Sequence, residues 1–440
     1  MVLEKYKKAL EKTQLIRRTG QVTRSLGLVL EADGPAVFLG ERCDIYYQSQ
    51  CAPLHAEVVG IKEGKVLLMP FGDIRGIRVG SEVVATGNSV RVPVGDYLLG
   101  RVIDAFGQPL DNKPIHHSGQ SYPLYAQPMN PLSRPRIKKI METGVKSIDT
   151  LLTIGQGQRM GIFAGSGVGK STLLGMIARN MKADVNVIAL IGERGREVLE
   201  FIEQTLGESG LKRSVVIAAT SDQPALVRTH AALAATAISE YFRDQGRQVL
   251  LTMDSVTRFA MAQREIGLAV GEPPTARGYT PSVFALLPKL LERGGTSSSG
   301  GSITGLYTVL VEADDLNDPV SDHLRAILDG HIVLSRDLAN QGHYPSIDIM
   351  QSNSRLMPQL LDTLEMGYSR KAKRLMSIYH QSKDMIDIGA YRAGQNAELD
   401  QAIKIMPLLD QFLNQSLNDH LSRNQAQLQL RAVIDKVGLT

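Results

Sequence analysis

The ten residues Phe163-Ala-Gly-Ser-Gly-Val-Gly-Lys-Ser-Thr172 join the apolar run 160–163 to a segment, 173–177, whose apolar side chains recur at helical spacing. A strand, a glycine-rich turn and a helix form the context in which successive backbone N–H groups converge on one anion. Glycine lets the chain bend there, and the positive end of the helix that opens at Lys170 adds to the attraction. The sequence therefore predicts a P-loop that binds a nucleoside triphosphate.

The polar residues of this loop have predicted roles. Lys170 is expected to reach the β- and γ-phosphates, and the Ser171 hydroxyl is expected to hold Mg²⁺. Ala164 stands where the usual pattern has its first glycine. Since that position ends a strand, a methyl group fits there if φ is negative. The predicted nucleotide-binding residues of the loop are Ala164, Gly165, Ser166, Gly167, Val168, Gly169, Lys170, Ser171 and Thr172.

Apolar strands alternate with helical segments from about residue 144 to residue 353. This alternation is typical of a parallel sheet with helices on both faces, so we expect an α/β P-loop domain with the loop at the carboxyl edge of the sheet. The glycine- and serine-rich segment 294–301 is predicted to be a flexible loop. The predicted strands are 160–164, 185–191, 214–219, 248–254, 303–312 and 331–334.

The regions on either side of this domain have different sequence patterns. Short apolar runs separated by glycine or charged turns predict a small N-terminal β-barrel, and the helical periodicity of 357–439 predicts a helical C-terminal domain. Residues 93–140 are rich in proline and are expected to form a strand and then a chain draped over the next domain. The barrel strands are predicted at 27–30, 36–39, 56–59, 65–69 and 82–85.

We divide the chain into an amphipathic docking segment (1–17), a β-barrel domain (18–92), a P-loop domain (93–356) and a helical domain (357–440). The first segment is amphipathic and rich in Lys and Glu. It is either a helix that lies on its own domain or a helix that docks on a partner or a membrane surface, and the sequence leaves both readings open.

Composition excludes several classes of protein. A net charge of +4 over 440 residues is too small to indicate nucleic-acid binding, and the few aromatics of the barrel are not interleaved with basic residues. Apolar runs fall short of a membrane span, and the N-terminus lacks the apolar core of a signal peptide, so we expect a cytoplasmic protein. Cys43 and Cys51 are therefore expected to be thiols, although their spacing leaves a disulfide open.

Two carboxylates lie at the ends of predicted strands. In P-loop proteins an aspartate in the position of Asp254 holds Mg²⁺ directly or through water. Glu193 is predicted to be the general base that polarises the attacking water, and Glu197, one helical turn on, is the alternative. Arg194 and Arg258 are expected to position Glu193 and the phosphate region by charge-assisted hydrogen bonds.

These motifs occur in the order seen in the catalytic subunits of F₁/V-type ATPases, which the chain resembles. The segment Tyr344-Pro-Ser-Ile-Asp-Ile-Met-Gln-Ser-Asn-Ser-Arg355 is similar to the signature Pro-x-x-Asp-x₃-Ser-x-Ser of that superfamily. Within the superfamily the chain most resembles the type III secretion ATPases, and among these the flagellar export branch. The segments that carry this likeness are 163–170, 193–197, 262–266, 271–274 and 330–335.

The resemblance implies Mg²⁺-dependent ATP hydrolysis in a homohexameric ring, with ATP bound between subunits. It implies that Tyr344 stacks on adenine and that Arg355 acts across the interface as an arginine finger. The ring would energise the delivery, unfolding or release of exported proteins while bound peripherally at the inner membrane. Its implied partners are a stator-like regulator at the N-terminal helix, a coiled-coil stalk in a pore lined by 267–281, export substrates with their chaperones, and membrane proteins of the export gate.

Three alternatives remain at this stage. One is an injectisome ATPase rather than a flagellar one. A second is a hexameric nucleic-acid translocase, whose barrel should carry basic and aromatic strands that this barrel lacks. A third is a non-catalytic nucleotide-binding subunit, which would lack the catalytic glutamate, whereas Glu193 is present.

Overall fold

The computed structural model describes residues 16–47, 52–115, 119–311, 315–417, 419 and 421–436. The predicted docking segment 1–17 lies almost entirely outside the described residues, and so does Cys51. Cys43 is a free, buried thiol whose pKa burial raises to about 12.

The N-terminal region folds as a barrel. Its strands are β1 Thr19–Leu26, β2 Val29–Asp33, β3 Glu41–Tyr46, β4 Leu54–Lys62, β5 Lys65–Pro70 and β6 Glu82–Ser89. In the described part of the chain these six strands close in the order β1-β2-β5-β4-β3-β6. Alternate side chains such as Val22, Leu30 and Ile45 fill the interior, as the period of two in a strand requires.

The predicted strand at 36–39 is wrong. These residues form a loop, and the strand begins instead at Glu41. The Glu41 carboxylate is completely buried and accepts hydrogen bonds from the backbone N–H groups of Phe38 and Gly87. These bonds satisfy backbone groups that a strand ladder would otherwise pair, so the loop is held by a side chain that the apolar pattern does not reveal.

A mostly parallel sheet forms the centre of the chain. The strands that follow the barrel are β7 Arg91–Pro93, β8 Arg101–Ile103, β9 Ser121–Pro123, β10 Ile140–Met141, β11 Ile154–Gly155, β12 Arg159–Ala164, β13 Val185–Ile191, β14 Ser214–Ala219, β15 Gln248–Asp254, β16 Gly295–Thr296, β17 Ser302–Leu310, β18 Gly330–Leu334 and β19 Ile347–Ser354. Among the described residues the central sheet has nine strands, in the order β19-β18-β12-β17-β15-β13-β14-β8 with β16 paired to β17. The α/β prediction is confirmed, and each predicted strand of this sheet matches an observed one to within two residues.

Helices cover both faces of the sheet. They are α1 Lys146–Leu151, α2 Lys170–Asn180, α3 Gly195–Glu200, α4 Gly207–Lys212, α5 Ala225–Asp244, α6 Val256–Val270, α7 Pro281–Leu291, α8 Pro319–Ile327, α9 Arg336–Asn340, α10 Met357–Leu360, α11 Thr363–Asp387, α12 Ala397–Leu413 and α13 Arg423–Asp435. A π-helical segment, Phe201–Leu206, joins α3 to α4. One apolar core contains α5, α6, α7 and α8, and the other contains α1, α2 and the C-terminal helices α11 to α13. The sheet is therefore buried on both sides, as its continuous apolar strands require.

The segment 294–301 is an ordered turn, so the prediction of a flexible loop is wrong. Gly295 and Thr296 pair with β17, and the N–H of Ser297 donates to the carbonyl of Gly301 over 2.9 Å. The Ser299 hydroxyl donates to the carbonyl of Arg243 over 2.9 Å. Gly301 is closely packed, because a Cβ added there would clash with the carbonyl oxygen of Arg243.

No helix within the described ranges is sufficiently long and apolar to span a membrane.

Candidate nucleotide site

The glycine-rich loop lies at the carboxyl edge of the central sheet. It leaves β12 at Ala164 and enters α2 at Lys170. Gly167 and Gly169 have φ values of +77° and +91°, a region that residues with a Cβ rarely adopt. Ala164 is a buried strand residue and is not among the described residues with positive φ, so its methyl group is accommodated as predicted.

Lys170 contacts both of the predicted carboxylates, Asp254 and Glu193. Its Nζ donates a hydrogen bond to Asp254 Oδ1 at 2.5 Å and lies 3.5 Å from Glu193 Oε1. The three side chains come from α2, from the end of β15 and from the turn after β13, which are brought together because parallel strands end at one edge. The structure thus assembles residues that are 23 and 84 positions apart in the chain.

Burial and neighbouring charges together shift the pKa values of this cluster. Burial lowers the pKa of Lys170, but the charges of Asp254 and Glu193 more than compensate, so the net shift is upward. Burial raises the pKa of Glu193; Lys170 opposes that rise, whereas Asp254 and Glu197 add to it. Glu193 is therefore a carboxylate with a pKa above its ordinary value, which is the direction that general-base catalysis near neutral pH needs.

The two predicted arginines occupy different positions. Arg194 is largely exposed, and its guanidinium lies 3.3 Å from Glu197 rather than beside Glu193. Arg258 packs against Gly192, where an added Cβ would lie 3.1 to 3.3 Å from the arginine side chain. Among the described residues its Nε is buried without a hydrogen-bond partner. A buried, unpaired donor of this kind is costly, and an anionic ligand is one kind of acceptor that would satisfy it.

A cavity of about 770 Å³ opens over these groups. This volume is in the range of sites for small-molecule ligands. Its walls are the P-loop, the turn after β13 and the start of α6, with Arg258 and Arg336 contributing cations. Arg336 was not predicted; it donates to the carbonyl of Ser166 over 3.1 Å and so braces the loop. The only sequence signal for it is its position at the start of α9, directly after β18.

Tyr344 lies beside the P-loop. Its side chain is 42% exposed, and a Cβ added at Gly169 would lie 3.5 Å from the ring. The neighbouring Ser346 hydroxyl donates to the carbonyl of Val168 over 2.6 Å, which ties this segment to the loop. An exposed aromatic ring at the mouth of a phosphate site is suited to stack on a nucleotide base.

Arg355 lies at the amino edge of the sheet, where the parallel strands begin. Strand β19 runs antiparallel to β18, from Ile347 beside Leu334 at the P-loop edge to Ser354 beside Gly330 at the opposite edge. A strand of this length spans about 23 Å. The exposed side chain of Arg355 donates to the carbonyl of Arg325 over 2.9 Å. The structure therefore separates Arg355 from the P-loop of the same chain.

The residues present fit a magnesium ion. Ser171, exposed at the start of α2, offers a hydroxyl, and Asp254 offers a carboxylate. Within the described residues there is no group of three or more His, Cys, Asp or Glu that could hold a metal by itself. Mg²⁺ is commonly held by one or two protein oxygens and completed by water and phosphate, so a sparse set of hard oxygen ligands matches this ion.

Three family models match the chain. They describe the nucleotide-binding domain of the ATP synthase alpha/beta family at residues 144–354, its beta-barrel domain at 22–87, and the T3SS EscN ATPase C-terminal domain at 362–432. Together they account for the barrel, the central sheet and the C-terminal helices.

Individual proteins match over nearly the whole chain. The flagellum-specific ATP synthase of Bacillus subtilis is 55% identical over 93% of this chain and 94% of its own length. The structure of the assembled ATPase EscN, from the type III secretion system of enteropathogenic E. coli, superposes with a TM-score of 0.90 at 46% identity. EscN in complex with its central stalk EscO superposes with a TM-score of 0.87 at 45% identity. Each comparison covers 94% of this chain and 100% of the solved one.

Proposed function

This chain belongs to the ATP synthase alpha/beta family, in the branch of the flagellum-specific and type III secretion ATPases, and from that premise we propose that it is the ATPase of a flagellar protein export system. Membership of this branch makes it an ATP-hydrolysing enzyme. We propose further that it works as a homohexameric ring in which each nucleotide lies between two subunits. Hydrolysis in the ring then energises the delivery, unfolding or release of exported proteins.

The contact of Lys170 with Asp254 and Glu193 carries the catalytic part of this proposal. When MgATP enters, the phosphates compete with these carboxylates for the ammonium group, and Lys170 turns to the β- and γ-phosphates. Ser171 and Asp254 would hold Mg²⁺, which would supply neutralising positive charge when bound. Lys170, Asp254 and Glu193 then each have a separate role.

Glu193 is proposed to accept the proton of the attacking water. Its carboxylate is only 17% exposed, and among the described residues its Oε1 is buried without a hydrogen-bond partner. Once Lys170 has moved to the phosphates, a water molecule is the natural donor to this oxygen. Arg258, whose Nε is also unpaired, is proposed to hold the phosphate region, and Arg194 to position Glu197 rather than Glu193.

Arg355 is proposed to act on the nucleotide of a neighbouring subunit. The antiparallel course of β19 supports this, since Tyr344 lies at one edge of the sheet and Arg355 at the other. A neighbour in a ring can present the Arg355 edge to the P-loop edge of the next subunit. An arginine so placed neutralises charge that develops in the transition state.

The proposed partners follow from the relatives. EscN has been solved as an assembled ATPase and in complex with its central stalk EscO. By analogy we propose a coiled-coil stalk in the pore of the ring, a stator-like regulator at the N-terminal segment, and export substrates with their chaperones at a membrane export gate. The ring would then be cytoplasmic and peripheral at the inner membrane.

Gene replacement in the source bacterium tests the export role. A Glu193→Gln allele should leave the amount of the ATPase unchanged, abolish swimming and sharply reduce the flagellar hook and filament proteins in the culture medium. Wild-type motility together with lost secretion through a needle complex would overturn the flagellar assignment in favour of the injectisome. Stimulation of hydrolysis by single-stranded RNA, with secretion intact, would instead support a nucleic-acid translocase.

A further inference from the structure

We propose that Thr308 is a positioning residue for Asp254: its hydroxyl keeps the carboxylate in its metal-binding orientation after Lys170 has moved to the phosphates. This inference rests on the proposed function, since it assigns a task within the same nucleotide site.

Thr308 lies in the middle of the central sheet. It belongs to β17, which pairs with β12, the strand that leads into the P-loop, on one side and with β15 on the other. Its side chain is completely buried, and its Oγ1 lies 2.7 Å from Asp254 Oδ1. The alternative acceptor, the carbonyl of Met253, is farther away at 3.3 Å. The hydroxyl therefore donates to the carboxylate, in a charge-assisted hydrogen bond.

The same carboxylate oxygen serves Lys170. Asp254 Oδ1 accepts from Lys170 Nζ at 2.5 Å as well as from Thr308, so both bonds hold one oxygen and neither of them occupies Oδ2. Asp254 is only 3% exposed, and a buried carboxylate that loses its donors pays a large desolvation cost. When Lys170 turns to the phosphates, the Thr308 hydroxyl is the donor that stays in place. It can therefore fix the rotation of the carboxylate at the step in which the metal is bound.

A second buried threonine provides a matched comparison. Thr252 lies on β15, two residues before Asp254, and is 1% exposed. Among the described residues its Oγ1 has no hydrogen-bond partner, whereas that of Thr308 contacts the carboxylate. The two residues share strand structure, burial and chemistry. They differ in whether the hydroxyl reaches Asp254.

The experiment compares Thr308→Val, Thr308→Ser and Thr252→Val in the full-length protein. Binding of a fluorescent ADP analogue is measured in EDTA and across a Mg²⁺ titration, and thermal unfolding is recorded for each variant. Thr308→Val should raise the Mg²⁺ concentration at half-saturation about tenfold, since removing an outer-shell partner of a metal ligand commonly costs 10- to 100-fold in affinity. Binding in EDTA should stay within about twofold of wild type. Thr308→Ser should restore the Mg²⁺ dependence, and Thr252→Val should not change it.

Several outcomes separate this proposal from the one that precedes it. Thr308→Val with a wild-type Mg²⁺ dependence would overturn the positioning role, and so would an equal shift in Thr252→Val. If the valine distorts the strand, Thr308→Ala is measured in its place, because it removes the same hydroxyl without adding bulk. A wild-type protein whose ADP binding does not respond to Mg²⁺ would contradict the proposed function itself, whereas a response that Thr308→Val retains contradicts the role of Thr308 alone.

Discussion

The two edges of the central sheet differ in how many functional groups they hold together. At the carboxyl edge Lys170, Asp254 and Glu193 are largely buried, and Lys170 contacts both carboxylates. At the amino edge Arg355 is exposed, and its side chain donates to the backbone carbonyl of Arg325. The residues of the buried cluster all come from one chain. Arg355 is exposed at the end of a strand and separated from the P-loop of its own chain, which is the arrangement that the proposed role across an interface requires.

The largest expected effect is at the carboxyl edge. Lys170→Ala removes the cation that contacts both carboxylates and is expected to contact the phosphates, so ATP hydrolysis should fall to background. Lys182→Ala is the matched control, because that lysine is 73% exposed and pairs with Glu142 outside the site. Phosphate release is measured for both variants, with circular dichroism to verify folding. Full turnover in a folded Lys170→Ala protein would rule out the P-loop assignment.

Arg355→Ala tests the amino edge. An arginine finger contributes roughly 10³ to 10⁵ in kcat, so we expect a loss in that range. Binding of MgADP to the monomer should be nearly unchanged, because the arginine does not reach its own P-loop. The exposed Arg374, which pairs with Glu398 in the C-terminal domain, supplies the control substitution to alanine. A weakened ADP affinity of the Arg355→Ala monomer would indicate that the two edges are not separate sites.

Glu193→Gln should separate binding from chemistry within the carboxyl edge. The substitution keeps size and hydrogen bonding but removes the base, which typically contributes 10² to 10⁴ in rate. Nucleotide should therefore still bind while kcat falls by a factor in that range. Glu197→Gln serves as the comparison. If Glu197→Gln shows the larger loss of kcat, Glu197 is the base and the assignment of Glu193 is wrong.

The smallest expected effect is on the pH profile. Burial raises the pKa of Glu193, and the neighbouring carboxylate of Glu197 adds to the rise. Because the base must be deprotonated, kcat/KM should fall as the pH drops through this pKa. Glu197→Gln removes the like charge, so the acidic limb should move to lower pH. A limb that stays in place, or moves upward, would show that Glu193 does not set it.

The sequence carried enough information to predict the carboxyl edge. Alternating apolar runs located the strands, and the rule that parallel strands end at one edge brought Asp254 and Glu193 to the P-loop before any contact was known. The arginines were harder to place, because the local pattern does not show whether Arg194 turns toward Glu193 or Glu197. Nothing in the sequence indicated the hydrogen bond from Thr308 to Asp254, because threonine is also a common residue in ordinary β-strands.

The errors have a common physical cause. Residues 36–39 resemble a strand but are held as a loop by the buried carboxylate of Glu41, and 294–301 resembles a flexible linker but is pinned by bonds to β17 and Arg243. In the first segment a bond between Phe38 and Glu41, three residues apart, overrides the local pattern. In the second segment a bond from Ser299 to the distant Arg243 does so. The direction of β19, which separates Tyr344 from Arg355, likewise depends on pairing that the strand pattern does not encode.

A mixing experiment with Arg355→Ala and Lys170→Ala protein tests the central claim, that one edge of a subunit completes the site of its neighbour. Each variant alone should be inactive. Mixed rings contain some interfaces with an intact P-loop on one side and an intact arginine on the other, so ATP hydrolysis should partly return and depend on the mixing ratio. If mixtures remain as inactive as either variant under conditions in which rings form, Arg355 does not act across the interface.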